Sequence, residues 1–206
     1  LHPALDAEEN RAALRADVAL TVDGDSLAVA GTADVDLAFR YNPLAGFDRD
    51  GSRHRKVAVG VAGGFGGADA DQVTVAQQGA ELVSFRAEFS GGSIPVPDSG
   101  LVRLAIPRVP GAVTGADVDS FRGARTLPVR LPQGAGMERV DLTVTLPEGF
   151  ELAFFPDELA LANGAGSVRR SVTVDDDELS VTTLLVLEQD ELPAASYPDL
   201  RALLDA

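Results

Sequence analysis

The chain has 206 residues, 45% of them hydrophobic, and 17 Lys and Arg stand against 32 Asp and Glu for a net charge of −15. That apolar share excludes a disordered tail, and the acidic balance repels phosphate backbones and anionic bilayers, so neither nucleic acid nor a membrane surface is an expected partner. With no cysteine, a disulfide framework, a thiolate metal site and a thiol nucleophile are all excluded.

No run approaches the roughly 18 apolar residues of a membrane span, so no membrane insertion is expected. No signal peptide is visible, and a chain that begins at Leu1 rather than Met is expected to be a processed or excised piece. Twelve Pro and 21 Gly punctuate an apolar set without Trp. Such punctuation suits many short strands better than a few long helices, and it predicts a mainly β fold.

Residues 5–16 have helical propensity, with Asp6 and Glu9 at capping-box spacing. Residues 17–22 and 26–30 flank Asp23-Gly24-Asp25, and Asp-Gly between two apolar runs signals a hairpin. Val35, Leu37 and Phe39 alternate with Asp34, Asp36 and Ala38 as in a half-buried strand. Residues 40–71 are the poorest for β structure. They comprise a charged loop over 49–56 and a stretch over 57–67 too rich in glycine for a predicted helix.

A strand resumes at 73–76, and then Val83, Phe85, Ala87 and Phe89 oppose Ser84, Arg86 and Glu88. A short strand over 101–106 ends at Pro107, and Pro110-Gly111 opens a loop reaching about Ser120. That loop divides the chain into a first β lobe, 1–119, and a second, 120–206, although one domain would also accommodate the pattern.

In the second half Val140, Leu142, Val144 and Leu146 alternate with polar residues, and Val168, Val172 and Val174 form another face. Asp175-Asp176-Asp177 turns into Leu179, Val181, Thr183, Leu185 and Leu187, while Leu184 and Val186 suggest burial on both faces near the strand's end. Pro198 suits a first helical turn, Asp199 complements its dipole, and Leu200, Leu203 and Leu204 share a face. The expected fold is therefore antiparallel β-sandwich lobes with a short C-terminal helix.

Chemistry-bearing motifs are few. The two histidines, His2 and His54, lie far apart, and no Gly-x-Ser-x-Gly elbow occurs. Gly64-Phe65-Gly66 invites a dinucleotide reading, but the third glycine of that fingerprint would fall on Asp69, a carboxylate where pyrophosphate should sit. No cofactor is expected. Asp175, Asp176, Asp177 and Glu178 are a weak calcium candidate through their carboxylate oxygens. Arg49, Arg53, His54, Arg55 and Lys56 stand out as a basic cluster in an acidic chain, and they are read as a docking loop for an acidic neighbouring domain or an anionic glycan.

The last third carries a distinctive order: Arg125-Thr126-Leu127-Pro128-Val129-Arg130-Leu131-Pro132, then Leu146-Pro147-Glu148-Gly149-Phe150, Phe155-Pro156, a polar hairpin, the 178–187 strand, Glu191-Leu192-Pro193 and Tyr197-Pro198-Asp199-Leu200-Arg201. This order resembles the C-terminal β module of bacterial transglutaminase-like proteins. Asp23-Gly24, Gly31 and Arg40-Tyr41 look like that family's entry hairpin and following strand. The family continues with a helix, and here the glycine-rich 57–67 stretch occupies that place.

The resemblance implies a papain-like Cys-His-Asp core outside this chain, so the chain itself is expected not to be an enzyme. It implies an accessory module that packs on that covalently linked upstream domain or binds another protein. It also implies an exported, periplasmic or extracellular parent. The alternative is a free-standing extracellular β-sandwich adhesin or carbohydrate-binding module. With no Trp, and Tyr41 far from Tyr197, that alternative has few flat rings to offer a sugar.

Overall fold

The computed structural model describes residues 6–42, 52–79, 81–118 and 126–206, with only the backbone described for 52–54, 77 and 78. β1 (Arg11–Asp23) and β2 (Ser26–Ala38) form the Asp-Gly hairpin, with Asp23 paired to Ser26 and Gly24 at φ 57°. A 3-10 turn (Phe39–Tyr41) follows, then α1 (Ser52–Gly63), β3 (Asp69–Gln78) and β4 (Leu82–Pro95). The second half supplies α2 (Gly115–Val118), β5 (Val129–Arg130), β6 (Gly136–Thr145), β7 (Leu159–Asn163), β8 (Gly166–Asp175), β9 (Glu178–Leu187), β10 (Glu191–Leu192) and α3 (Tyr197–Leu204).

The fold is mainly β. Eight strands form one sheet in the order β3-β4-β2-β1-β6-β9-β8-β7, and β10 and β5 form a separate two-stranded ladder. The expected antiparallel lobes are thus joined side by side into a mixed sheet, because β1 runs parallel to β6 with Ala12 opposite Glu138 and Ala19 opposite Thr145. Every other neighbouring pair is antiparallel. The short C-terminal helix forms as predicted and buries Leu200, Leu203 and Leu204.

Alternation decides which face is covered. Ala12, Leu14, Ala16, Val18 and Leu20 of β1 are all buried, as are Val83, Phe85, Ala87 and Phe89 of β4 and Val140, Leu142 and Val144 of β6. Ion pairs and hydroxyls decorate the opposite face, for example Arg86 with Asp34 at 2.9 Å and Arg139 with Asp141 at 2.7 Å. One core lies under β1, β2, β4, β6 and α1. A second lies between β8, β9, β10, β5 and α3, and Val113 and Val118 also reach into it. Packing therefore interleaves residues from both sides of position 120.

Three local expectations are corrected. Residues 11–16, read as helical, form the start of β1, because their period-2 apolar pattern completes a buried sheet face and overrides weak propensity. Residues 52–63, read as a charged loop and a glycine-rich stretch, are helix α1. Ala58, Val61, Ala62 and Phe65 recur at helical spacing and are buried, while added Cβ atoms at Gly60 and Gly63 would meet open space. Core contact along one stripe here outweighs the entropy of two glycines. Residues 101–106 are not a strand. They lie over the sheet with Val102, Leu104 and Ile106 packed on the first core, and no ladder pairs them among the described residues.

Gly31 is required by packing. The rings of Phe65 and Phe89 stack at 5.0 Å with a 2° interplanar angle. A Cβ on Gly31 would strike both the Phe89 ring and the carbonyl of Asp17. The β2–β4 register also shifts between Val29 and Gly31, and Phe89 is the residue paired opposite the glycine.

Candidate functional site

Two features gather polar or apolar groups beyond what a plain sheet needs. The first is a buried polar junction at the start of β1. Asn10 is fully buried, and its Nδ2 donates to the carbonyls of Gln133 at 2.8 Å and Ala135 at 2.5 Å. Its Oδ1 accepts the Arg40 N–H at 3.0 Å. The Arg40 guanidinium then forks onto Asp190 at 2.9 and 3.1 Å, and Asp190 also accepts the Ala135 N–H at 2.8 Å. These bonds from Arg40 and Ala135 hold the Asp190 carboxyl below the usual range.

Beside it, Glu138 is 8% exposed, and its Oε1 accepts the Tyr41 hydroxyl at 2.9 Å and the Val113 N–H at 2.7 Å. Burial pushes the Glu138 carboxyl up despite those donors and nearby Arg108, and burial with the Glu138 charge likewise raises the Tyr41 phenol. The sign for stability follows. Folded Glu138 binds its proton more tightly than unfolded Glu138, so its contribution is fully present below the unfolded value and is lost as pH rises through the folded one. Glu138→Gln, which keeps an acceptor for Tyr41 and Val113, is therefore expected to flatten the decline in stability above about pH 4.5. Urea midpoints at pH 5 and pH 8 check it, and unchanged pH dependence would refute the assignment.

The second feature is an apolar groove of about 610 Å³ between the 100–106 segment and the irregular 146–156 segment that follows β6. Leu27, Leu104, Leu142, Val144 and Leu179 line its floor and walls. Phe154 stands 85% exposed at its lip, with Phe155 and Leu101 half exposed beside it. Acidic residues sit in and next to the lining segments (Asp98, Glu148, Glu151, Asp157 and Glu158), and Arg103 lines the groove as a base. The residues at Leu146 and Phe150 are pinned there by backbone bonds, Leu146 N–H to Asp177 at 2.7 Å and Phe150 N–H to Pro147 at 3.1 Å.

The residues singled out from sequence do not converge. Arg49 lies outside the described residues, as do the side chains of Arg53 and His54, whose backbones are helical in α1. Arg55 and Lys56 are exposed in the same helix, so that part of the basic cluster belongs to a helix rather than a loop. Asp175, Asp176, Asp177 and Glu178 form the exposed β8–β9 turn, with Asp176 at φ 46°. Among the described residues no three His, Asp or Glu side chains are grouped to hold a metal. Gly66 and Gly67, at φ 64° and 76°, end α1 rather than open a helix, the reverse of a phosphate-binding turn. Tyr41 is buried on Glu138 and presents no ring to a sugar.

Sequence reasoning missed the groove and the junction. The available signal for the groove was Phe154-Phe155 in a segment without alternation, apolar side chains that no strand or helix could turn inward. The junction left almost none, since Asn10, Arg40, Glu138 and Asp190 are scattered along the chain.

The model of a family described as "Domain of Unknown Function with solved-structure structure" (DUF3858) matches residues 115–206. Among solved structures, a protein of Parabacteroides distasonis described as a candidate protease is similar at 16% identity and a TM-score of 0.42. The similarity covers 66% of this chain and 37% of that one, so this chain spans little more than a third of that protein's length. No curated protein matches. No helix among the described residues is long and apolar enough to cross a membrane.

Proposed function

We propose that this chain is a non-catalytic accessory β module of an exported bacterial transglutaminase-like protein, and that its apolar groove seats a surface of the neighbouring catalytic domain. The observation that carries the reading is the groove itself, with Phe154 and Phe155 at its lip. Contiguous exposed apolar surface of this kind marks an interaction site more often than a free solvent face. The acidic flanks favour a partner surface that is apolar at its centre and basic at its rim. The lack of any cysteine supports a separate catalytic domain, because the transglutaminase-like reaction needs a Cys nucleophile. The motif order over 125–201 supports an exported parent, in the periplasm or outside the cell.

The test begins with the native polypeptide, probed in its source with antibodies to this chain. The proposal expects a band well above 21.4 kDa that includes a cysteine-bearing domain. A band near that mass would overturn it. In the longer protein, amides of residues 150–155 are expected to exchange at least about tenfold more slowly than in the isolated chain, a difference of about 1.4 kcal/mol in local opening. Phe154→Ser with Phe155→Ser should abolish that difference while leaving the isolated chain's unfolding free energy within about 0.5 kcal/mol, since one ring is exposed and the other half exposed.

A further inference from the structure

The eight-stranded sheet ends in two unlike edges. β3 closes one side, and its register against β4 shifts twice, between Ala70 and Gln72 and between Val75 and Gln77. It also carries Asp69 and Asp71. Bulges and charges of this kind keep an edge strand from pairing with another chain. β7 closes the other side without them. Its residues, Leu159-Ala160-Leu161-Ala162-Asn163, include no charge and no proline, and they pair with β8 in unbroken register.

Hydrogen-bond parity fixes what this edge offers. The β7–β8 turn holds two residues, Gly164 and Ala165, between the paired Asn163 and Gly166. A two-residue hairpin is closed by a pair that exchanges both backbone bonds, and such pairs alternate along the ladder. Asn163, Leu161 and Leu159 therefore turn their N–H and carbonyl groups toward β8, and Ala162 and Ala160 turn theirs outward. The β8–β9 turn, closed by Asp175 and Glu178, gives the same parity, because it directs the odd-numbered residues of β8 to β9 and leaves Gly166, Val168 and Arg170 for β7. Ala160 and Ala162 are exposed, and no ladder pairs their outward side among the described residues. On the inner face, Leu159 and Leu161 stay half-buried at the border of the second core, where a further strand would cover them.

We propose that β7 is a self-pairing edge, and that two copies of this chain join β7 to β7 antiparallel about a two-fold axis at Leu161 to make one continuous sheet. The proposal does not depend on the docking reading of the groove. Its warrant is that these five residues match their own reverse. With the axis at Leu161, Ala160 falls opposite Ala162 of the second copy and Ala162 opposite its Ala160. All outward N–H and carbonyl groups of the two alanines are then satisfied by four bonds across the axis. Leu161 meets Leu161 of the second copy in the closer, non-hydrogen-bonded kind of pair, which covers the apolar border on both sides. No charged side chain of β7 is buried in the process. Five residues make a weak dimer, and the net charge of −15 on each copy opposes approach, so pairing should tighten as salt screens that repulsion.

Sedimentation equilibrium of the full chain is expected to show a dimer of twice 21.4 kDa, with a Kd on the order of 0.1 mM at about 300 mM salt. Pairing should be at least about tenfold weaker at about 20 mM salt. Ala160→Lys with Ala162→Lys sets like charges directly opposite and should weaken the dimer at least about tenfold, although it lowers the net charge. Ala160→Glu with Ala162→Lys keeps the net charge and sets opposite charges across the axis, so it should restore pairing. Cysteine variants of this cysteine-free chain read the register. Leu161→Cys, with Cα atoms about 4.5 Å apart across the axis, should cross-link on oxidation, and Ala160→Cys should do so far more slowly. If the lysine variant fails to fold, the cysteine pair decides alone. A monomer at about 1 mM and about 300 mM salt, a lysine variant that folds and pairs undiminished, or equal cross-linking of the two cysteines would each overturn the proposal. A monomer whose Ala160 and Ala162 amides gain protection only in a longer protein would give the edge to another domain and overturn it as well.

Discussion

Asn10→Ala is expected to destabilise the fold by about 3–5 kcal/mol, a large part of the roughly 5–15 kcal/mol available to a domain. The side chain is fully buried and holds three backbone groups at once: the carbonyls of Gln133 and Ala135 and the N–H of Arg40. Truncation leaves all three without their partner, the Ala135 carbonyl in a buried setting and the other two in a half-buried one, and each such group costs up to about 1–3 kcal/mol. Asn10→Asp is the sharper probe. It keeps the acceptor for Arg40 but points a carboxylate oxygen at two carbonyl oxygens. Its defect should therefore be larger at neutral pH and shrink on acidification, as the carboxyl protonates and regains a donor. Urea unfolding at pH 4 and pH 7 reads both effects. A loss below about 0.5 kcal/mol for the alanine variant would show that the junction carries no weight.

The second large effect lies in the aromatic stack. Phe89→Ala should cost about 3–5 kcal/mol, because the ring is buried and its removal leaves a cavity against Phe65. Gly31→Ala should also destabilise strongly, since the new methyl meets the Phe89 ring and the Asp17 carbonyl. The two changes should not add. With the ring gone, one of the two obstructions to the methyl disappears, so the double variant should be more stable than the sum predicts by about 1 kcal/mol. Additivity within error would mean that the Asp17 carbonyl alone dictates glycine at this position.

Legibility in the sequence tracked the distance over which each feature is determined. The Asp23-Gly24 hairpin, the β4 alternation and the face of α3 are set by residues within a few positions, and all were readable. α1 was hidden because its stability comes from Ala58, Val61, Ala62 and Phe65 meeting the sheet, not from its own glycine-rich composition. β1 was misread at its start because Glu8, Glu9 and the alanines have helical preference until a neighbouring strand claims them. The parallel pairing of β1 with β6 was not legible, since alternation gives the face of a strand but not the direction of its neighbour. The groove and the polar junction depend on side chains more than a hundred positions apart, as in the bond from Asn10 to Ala135, and no local pattern announces them.

That parallel seam has a consequence for how the chain is made. Synthesis proceeds from the N terminus, so the β1–β2 hairpin leaves the ribosome well before the β6 residues that cover the other side of β1, Glu138 to Thr145 among them. Throughout that interval β1 presents a row of uncovered N–H and carbonyl groups beside a strongly apolar face, the kind of nascent surface that recruits holding chaperones or mispairs with another chain. Contacts this remote in sequence also form slowly. Slowed translation between residues 38 and 136 would lengthen the vulnerable interval, so the yield of native protein should depend on elongation rate in that window more than anywhere else in the chain.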